Sequence, residues 1–369
     1  MTTGDSRLTS KVVKTIRADW LQARLKAGEF LPSERELVDK LDVSRVTVRR
    51  ALKQLVGEGL IEAIPSHGYR KVQGPSKPDE AAPVAYLLAV AEPDAVWDFT
   101  HEQILSAFNR ALMERGRHAL AIGCKGRPAP DVFRELRETR IWGVALDTSQ
   151  SDYVEAARAS GIPFVVVDAT TDLPGVDVVI QDNFNGARQA AAWLAARGHR
   201  RIGWLGPCRG LPHYRERFSG AQAGLRDAGL AFAAEHIAEL PQHDAMPEAA
   251  AALGRLLRAP DRPTALLCMW QPMTLAAARA LREAGLTPGK DVELVAWGSE
   301  RDYRQMIVPE FLGGDAPACM VWRPEEMAEL ALARLEQRVR NPATPACRTD
   351  LKVRLVEPRR AEDVLKNGK

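Results

Sequence analysis

The sequence predicts an α/β protein in which a small, basic winged helix-turn-helix domain precedes a larger body of parallel sheets and helices. Two observations predict this class. Short helical segments and a hairpin-like segment lie before a Pro- and Gly-rich stretch, residues 73–83, that is typical of a linker. After that stretch, apolar β-prone runs alternate with helical stretches, which is the pattern of parallel sheets covered by helices.

Composition excludes several classes of protein. The chain has 369 residues, of which 46% are hydrophobic and 27% are charged, so it is expected to form two or three globular domains. No run of 18 apolar residues and no apolar leader are present, which predicts a cytoplasmic protein without membrane contact. Five scattered cysteines are interpreted as reduced thiols. They are Cys124, Cys208, Cys268, Cys319 and Cys347.

Charge is distributed unevenly along the chain. Residues 1–72 carry 14 basic and 9 acidic side chains, a net charge of +5. Residues 73–369 carry 37 basic and 39 acidic side chains, a net charge of −2. A basic N-terminal domain on a nearly neutral body suggests that this domain contacts a polyanion, although a solvated basic surface explains the charge equally well.

The helix-turn-helix is predicted from two helix starts. Ser33 followed by Glu36 forms the pattern of a capping box, and the first helix is expected to end near Leu41. After a tight turn, Ser44 caps a second helix that extends to about residue 58. On this second helix one apolar face is expected to be buried and an arginine-rich face exposed. The buried face comprises Val48, Leu52 and Leu55, and the exposed face Arg45, Val46, Arg49 and Arg50.

These exposed residue types suit DNA recognition. Arginine in the first turns of a recognition helix binds phosphates or reads guanine with two hydrogen bonds, and Val46 suits a thymine methyl group. Residues 59–72 follow as two β-prone runs around a tip at residues 65–68, the pattern of a wing that reaches the minor groove. A small helical domain with merely solvated arginines is the alternative, but caps, basic face and wing occurring together favour DNA binding.

The segment LPSERELVDKLDVSRVTVRRALKQLVGEGLIE resembles the winged-helix domain of GntR-family bacterial transcription regulators, and the resemblance covers about residues 10–72. It implies that Arg35, Arg45 and Arg49 contact DNA, with Ser44 and Thr47 on the DNA backbone. It also implies DNA contacts from the wing tip, at His67 and Gly68. Arg50 stands where the family often has an acid, and His67 where it often has a basic residue, so the operator sequence is not implied.

The body shows repeated strand–helix alternation. Strands are predicted at residues 84–90, 119–123, 143–147, 164–168, 176–181, 201–206, 265–270 and 292–297. Helices between them include residues 102–115, 186–197, 217–228 and 273–284. The domain boundaries follow as residues 1–72 for the winged helix, 73–83 for the linker and 84–369 for the body.

The stretch NGARQAAAWLAARGHRRIGWLGP, together with SGIPFVVVD before it and YRERFSG after it, resembles the effector-binding domain of the LacI family. The resemblance covers about residues 84–358. It implies a periplasmic-binding-protein-like body of two α/β subdomains, which the chain crosses three times and which close on a ligand. It also implies that Arg217 is the effector-binding arginine.

Ligands of open parallel sheets bind at the carboxyl ends of strands. The candidate effector-binding residues at such positions are Trp97, Asp147, Asp168, Trp270, Gln271 and Trp297. Tryptophan faces beside polar groups suit a sugar ring, and the planar donors of Arg217 suit paired hydroxyls or a carboxylate. The alternative is that these tryptophans, with Trp322, only fill the core.

The body departs from the LacI pattern in its polar positions. Trp270–Gln271 replaces the usual Asn-Asp, and Trp297–Gly298–Ser299 replaces an aromatic residue followed by two polar ones. Trp322 replaces a polar residue near the third crossing. The ligand is therefore expected to be a different sugar, a glycoside, or absent.

Enzyme functions find no support in the sequence. Walker A, GxSxG, HExxH and GxGxxG motifs are absent, and the seven histidines have no ligand spacing, so no catalytic residue, cofactor or metal is predicted. The function predicted is a ligand-responsive transcription repressor that binds double-stranded operator DNA as a homodimer. Two alternatives remain. One is a constitutive DNA-binding regulator with a degenerate pocket. The other is a sugar-binding or sugar-processing protein whose N-terminal winged-helix domain, the head, is vestigial.

Overall fold

The computed structural model describes residues 3–26, 28–57, 60–65, 67–71, 82–88, 99–124, 126–241 and 246–366. The α-helices are α1 (Thr3–Thr15), α2 (Glu34–Leu41), α3 (Arg45–Gly57), α4 (Phe99–Met113), α5 (Ala129–Glu138), α6 (Ser151–Ser160), α7 (Asn183–Ala196), α8 (Pro212–Asp227), α9 (Met246–Arg258), α10 (Gln271–Glu283), α11 (Glu300–Asp302), α12 (Pro324–Arg340) and α13 (Ala361–Lys366). Other helical turns are π-helical at Ile16–Gln22 and Tyr303–Ile307 and 3₁₀ at Ala234–His236 and Val308–Phe311.

The strands follow in chain order. They are β1 (Ile61–Ile64), β2 (Gly68–Lys71), β3 (Val84–Leu88), β4 (Ala119–Gly123), β5 (Gly143–Asp147), β6 (Phe164–Val167), β7 (Val178–Gln181), β8 (Ile202–Gly206), β9 (Ile237–Glu239), β10 (Ala265–Cys268), β11 (Glu293–Ser299), β12 (Asp315–Ala316), β13 (Ala318–Trp322), β14 (Arg348–Leu351), β15 (Arg354–Val356) and β16 (Arg359–Arg360). All eight strands predicted in the body are present, with ends that differ by at most two residues.

The N-terminal head is a three-helix unit with a two-stranded wing. Helix α1 packs on α3, α2 also packs on α3, and β1 pairs antiparallel with β2. Its core is a single apolar cluster in which Ile16, Leu37 and Leu52 are completely buried. The predicted winged helix-turn-helix is therefore confirmed, with the addition of α1, which closes the core from one side.

The body consists of two lobes, each with a six-stranded sheet. The N-lobe sheet has the order β14-β7-β6-β5-β3-β4, and all of its strand pairs are parallel. The C-lobe sheet has the order β15-β13-β11-β10-β8-β9, in which only β15 is antiparallel to its neighbour. Such sheets need crossover helices on their faces, and their central strands β3, β5 and β11 are buried along their whole length.

The chain passes between the lobes three times. It leaves the N-lobe between β7 and α7, returns between β13 and α12, and leaves again between β14 and β15. These passages confirm the predicted two-subdomain body. They also place the ends of β7 and β13 directly at the boundary between the lobes, where the candidate site is built.

Candidate functional site

The recognition helix of the head is capped as the sequence predicts. The Ser33 side chain accepts a hydrogen bond from the Glu36 amide and the Glu36 carboxylate accepts one from the Ser33 amide, which completes the capping box of α2. Ser44 Oγ accepts from the Thr47 amide at 3.2 Å and caps α3. Because each cap satisfies an otherwise unpaired amide, it fixes where the helix begins.

The exposed face of α3 carries the predicted arginines. Arg45 and Arg49 are exposed, and Val46 is 58% exposed, while Val48 on the opposite face is completely buried. Exposure leaves these side chains accessible to a DNA duplex. Arg35 on α2 is also exposed, and so is Arg50 on α3.

One acidic residue, which the sequence analysis missed, organises this face. Glu34, the first residue of α2, accepts from Arg45 Nε at 3.1 Å and from Arg49 Nε at 2.9 Å. A single carboxylate thus holds two arginines of the recognition helix in fixed directions. The distance of 11 and 15 residues between the partners hides this relationship from the sequence.

Thr47 does not lie on the exposed face. The residue is only 2% exposed, and its hydroxyl forms a 2.8 Å hydrogen bond with Ser44 Oγ. Its burial is at odds with the direct phosphate contact that the GntR resemblance implies. The structure gives Thr47 a supporting position, in which it orients the exposed Ser44.

The wing tip is a tight turn between β1 and β2. Gly68 pairs with Ile64 and has a φ of +100°, a conformation that L side chains rarely adopt. His67 is exposed, and its ring centroid lies 6.4 Å from that of Phe30, which is 43% exposed. The tip therefore presents an imidazole and an aromatic ring together. Residue 66 lies outside the described residues.

Arg217, on α8, is the centre of the site in the body. It is 2% exposed, and each of its three nitrogens donates a hydrogen bond to the protein. Nε donates to Asn183 Oδ1 at 2.7 Å, Nη1 to the Met269 carbonyl oxygen at 2.7 Å, and Nη2 to Gln181 Oε1 at 3.1 Å. Burial lowers the pKa of Arg217 to about 9, so the guanidinium stays charged at neutral pH.

Two tryptophans pack around this guanidinium. The guanidinium carbon lies 4.0 Å from the ring centroid of Trp297 and 5.1 Å from that of Trp270. Trp297 Nε1 also donates to Gln181 Oε1 at 2.6 Å. The contacts are cation–π interactions in an enclosed site, where they are stronger than in water. Arg217, Trp270 and Trp297, which are distant in sequence, are therefore brought together as one unit.

The two carboxylates predicted in the N-lobe, Asp147 and Asp168, are held by hydrogen bonds within that lobe. Asp147 Oδ2 accepts from the Tyr86 hydroxyl at 2.9 Å and lies 2.8 Å from His101 Nδ1. Asp168 Oδ1 accepts from Gln181 Nε2 at 2.8 Å. Burial, followed by the charge of Asp147, raises the pKa of Asp168 to about 7. Gln181 thus connects the Asp168 carboxyl to Arg217 and Trp297.

A second polar contact joins the lobes and was not predicted. Gln103 of α4 donates to Asp302 Oδ1 at 2.7 Å and accepts from Ser299 Oγ at 2.7 Å. All three side chains are buried. The sequence shows only a Ser-x-x-Asp pattern at residues 299–302, which is typical of a capping box. The structure contains this capping box, but the pattern does not indicate that Gln103 contacts it.

The space left between these side chains is small. A cavity of about 10 Å³ remains, which is room for one water molecule. Its lining includes Trp270, Gln271, Trp322 and Gly298, with Thr100, Gln181, Arg217, Trp297 and Asp302. The lobes therefore close on their own side chains. Asp147 and Asp168 do not line this cavity, and Trp97 lies outside the described residues.

Two family profiles match the chain. The profile described as periplasmic binding proteins and sugar binding domain of the LacI family matches residues 85–298. The profile of the gntR family of bacterial regulatory proteins matches residues 8–70. Both resemblances inferred from the sequence are confirmed. Within the described residues, no helix has the length and apolar character needed to cross a bilayer.

Relatives of known role are transcription regulators. The regulator AglR of Rhizobium meliloti (strain 1021) is 28% identical over 295 residues, which cover 75% of this chain and 79% of AglR. The transcriptional repressor PurR of Escherichia coli O139:H28 is 31% identical over 214 residues, which cover 55% of this chain and 57% of PurR.

Solved structures share the fold of the chain. A putative ribose operon repressor from Burkholderia thailandensis is 27% identical with a TM-score of 0.58, covering 74% of this chain and 98% of that one. A complex of the transcriptional regulator CelR with cellobiose is 24% identical with a TM-score of 0.66, covering 86% of this chain and 91% of that one.

Proposed function

The chain belongs to the family of periplasmic binding proteins and LacI-type sugar-binding domains, and on this premise we propose that it is a transcription repressor whose operator affinity is set by a small molecule between its lobes. The GntR-type head supports DNA binding. Its relatives AglR and PurR are named as transcription regulators, PurR as a repressor.

The observation that carries the proposal is the convergence of polar and aromatic side chains from both lobes on Arg217. Gln181 and Asp168 come from the strand ends of the N-lobe, and Trp270 and Trp297 from those of the C-lobe. Strand ends of parallel sheets are the usual place for ligands. The tryptophan faces can stack on the ring of a ligand, and Arg217 can donate hydrogen bonds to its polar groups. A sugar or a glycoside has both features.

The small cavity defines what ligand binding requires. A pyranose ring cannot enter a space of about 10 Å³. Binding therefore needs either a rotation of the lobes or a displacement of Trp297. Both change the relation between the lobes and, through the linker at residues 73–83, the placement of the heads. Such coupling between sites typically amounts to about 1–3 kcal/mol.

The same cavity favours a second candidate function. A body that fills its own cleft with Trp297 and Trp322 is what a regulator without a small-molecule effector would have. In that case operator binding is constitutive, and the tryptophans simply stabilise one arrangement of the lobes.

The head residues take specific roles in this proposal. Arg45, Arg49 and Val46 read bases in the major groove, and Arg35 and Ser44 contact phosphates. His67 and Gly68 place the wing on the minor groove, and Thr47 acts by orienting Ser44. In this arrangement residues 1–72 form the DNA-binding head, residues 73–83 the linker and residues 84–369 the effector-binding and dimerisation body. The proposal also includes a cytoplasmic location, because operator DNA lies there in bacteria.

Tight binding to a palindromic operator requires two heads, so the proposal includes a homodimer. The edge strand β4 supports it, because Leu120 is 38% exposed and Met113 at the adjacent end of α4 is 64% exposed. Natural edge strands are normally protected by charges or covered. A second copy of the chain would cover this apolar edge.

The proposal is tested by thermal-shift screening of mono- and disaccharides on the full chain, followed by operator titrations with each hit. A sugar that raises the melting temperature and changes operator affinity supports the ligand-controlled repressor. Trp270→Ala should abolish this response and leave operator affinity without sugar unchanged. Operator binding with no response to any sugar supports the constitutive regulator. Failure to bind any DNA in a selection from random duplexes overturns both.

A further inference from the structure

The amino edge of the N-lobe sheet is the part of the body to which the head is attached. Ala82 and Pro83, the last two linker residues, are fixed at this edge. The Ala82 carbonyl accepts from Arg117 Nη1 at 3.3 Å, and the Pro83 carbonyl accepts from the Trp142 amide at 2.8 Å. Strands β3, β4 and β5 begin side by side here. Because the parallel strand β7 ends at the boundary between the lobes, the amino edge lies at the opposite end of the N-lobe.

The head cannot lie far from this edge. Residues 72–81 join Lys71, at the end of β2 in the wing, to Ala82. A chain of this length spans at most about 40 Å, even when it is fully extended. One turn of a DNA duplex is about 34–36 Å long. A wing that contacts DNA therefore keeps the amino edge within about one turn of its own contact.

The loops of this edge carry a positive charge. They precede β4, β5 and β6 and comprise residues 114–118, 137–142 and 158–163. Together they contain five arginines and two acids, a net charge of +3, whereas the body with its linker carries −2. Arg115 is paired with Glu329 at 2.7 Å and with Glu336 at 3.2 Å, which leaves a surplus of two positive charges. A localised positive surface of this kind suits a polyanion.

Two of these arginines, Arg137 and Arg140, have no partner among the residues that the structure describes. Both are exposed, and neither forms an ion pair or a side-chain hydrogen bond with another described residue. Arg137 lies in the last turn of α5, where any cation complements the helix dipole. Both guanidinium groups keep donors for an acceptor outside the described residues.

Arg140 stands where the other helices of the body have glycine. It follows α5 and has a φ of +53°. Five other helices of the body are followed, within three residues, by a glycine of positive φ. These glycines are Gly116, Gly161, Gly198, Gly229 and Gly285. An L side chain is strained in this conformation, so the chain keeps an arginine here against a local cost in stability. Such a cost is typical of functional positions.

We propose that the amino edge of the N-lobe, through Arg137 and Arg140, binds the sugar–phosphate backbone of DNA within about one helical turn of the wing. Arginine binds phosphate oxygens through two parallel hydrogen bonds, and phosphate contacts add affinity without sequence preference. The edge is thus a second DNA contact, which belongs to the body. The inference rests on the proposed function, because the head brings the duplex to the edge.

The test combines hydroxyl-radical footprinting with gel-shift titration of the full chain on a duplex of about 80 base pairs, with the selected operator at its centre. Arg137→Gln/Arg140→Gln should lose protection of backbone positions within about one turn of the wing and keep the protection under the head. Its affinity should fall about fivefold to tenfold. The slope of log affinity against log salt should flatten by about two units, because each lost phosphate contact removes about 0.9.

The matched control is Arg226→Gln/Arg255→Gln. It removes two exposed arginines from the last turns of α8 and α9 in the C-lobe, which changes the net charge and the helix ends in the same way. This variant should keep every protection and stay within about twofold of the parent affinity.

Arg140→Gly separates DNA binding from a structural role. Glycine relieves the strain at this position and should raise the melting temperature by about 2 °C. The same variant should weaken operator binding about threefold, because it removes a phosphate contact. A more stable chain that binds DNA less tightly is not expected of an arginine that only stabilises the end of α5.

Several outcomes overturn the proposal. One is an equal loss of affinity in the control variant. Another is weaker binding of Arg137→Gln/Arg140→Gln without any lost protection, which would show that the two arginines act through the linker acids Asp79 and Glu80. Unchanged affinity and protection in Arg137→Gln/Arg140→Gln overturn it and leave the proposed function intact. A parent chain that binds no duplex overturns both.

Discussion

The guanidinium of Arg217 lies 4.0 Å below the ring of Trp297, and both side chains donate to the same oxygen, Gln181 Oε1. Arg217, which the LacI resemblance implies to be the effector-binding arginine, is here engaged by hydrogen bonds to three protein acceptors and by two tryptophan rings. A ligand that binds Arg217 must therefore replace at least one of these partners. This exchange ties ligand binding to a change at the boundary of the lobes.

The contacts of Arg217 predict a large effect on stability. Arg217→Ala leaves Asn183 Oδ1 and the Met269 carbonyl oxygen without this donor in a buried site, and it leaves Gln181 Oε1 with Trp297 as its remaining donor. We expect a loss of about 3 kcal/mol or more in the free energy of unfolding. Thermal melting checks this, with the exposed Arg226→Ala on the same helix as control. Equal melting temperatures for both variants would contradict it.

The raised pKa of Asp168 predicts a dependence of stability on pH. The folded chain keeps a proton on this carboxyl up to about pH 7, whereas the unfolded chain releases it near pH 4. The contribution of Asp168 is therefore present at low pH and is lost as pH rises from about 4 to about 7. Asp168→Asn lacks this titration, so its stability relative to the parent should increase between pH 5 and pH 8.

Asp168 is half-buried and keeps some contact with solvent, which screens its charge. We therefore expect its contribution to the free energy of unfolding to change by about 1–2 kcal/mol over this pH range. Thermal melts at pH 5, 6, 7 and 8 measure it. Asp172→Asn is the control, because Asp172 is exposed in the loop that follows Asp168. A difference between parent and Asp168→Asn that stays constant over this range would show that the Asp168 carboxyl is not protonated in the folded chain.

In the head, the contacts of Glu34 with Arg45 and Arg49 predict that removing an arginine weakens DNA binding, whereas neutralising Glu34 strengthens binding to random DNA. Arg45→Ala and Arg49→Ala should each weaken operator binding by about 1–3 kcal/mol. Glu34→Gln releases both arginines from a competing carboxylate and should strengthen binding to random DNA about threefold to tenfold, with a smaller preference for the operator. Gel-shift titrations over a range of salt concentrations measure both.

Asp39→Asn is the matched control for Glu34→Gln. It removes one negative charge from an exposed position of the same helix, α2, and should change binding to random DNA less than Glu34→Gln does. Equal gains in the two variants would mean that net charge alone, not the release of Arg45 and Arg49, determines the affinity.

The exposed edge strand predicts the assembly. Leu120→Lys places a charge at the second residue of β4 and should raise the dimer dissociation constant about tenfold or more, because the substitution buries an unpaired cation in the proposed interface. Leu312→Lys, at a leucine of the C-lobe that is 59% exposed, should not change this constant. Sedimentation velocity over a range of concentrations distinguishes them. A parent chain that is monomeric at micromolar concentration would exclude the homodimer.

Much of the fold could be read from local patterns. The capping boxes, the apolar face with Val48, Leu52 and Leu55, and the strand–helix alternation depend on neighbours within a few residues, and the structure contains all of them. The contacts of Glu34 with Arg45 and Arg49 could not be predicted, because they depend on the angle between α2 and α3. The burial of Thr47 could not be predicted for the same reason, since it is decided by packing on Ser44 and the helices around it.

The sequence by itself therefore determined the architecture and the positions of the chemically important side chains at strand ends and helix starts. Only the tertiary structure decided which of them meet. Gln181 accepts hydrogen bonds from Arg217, which lies 36 residues away in the sequence, and from Trp297, which lies 116 residues away. Gln103 donates to Asp302, which lies 199 residues away. Local periodicity specifies the direction of a side chain relative to its own helix or strand. The way in which one lobe closes on the other determines whether two such side chains contact a ligand or contact each other.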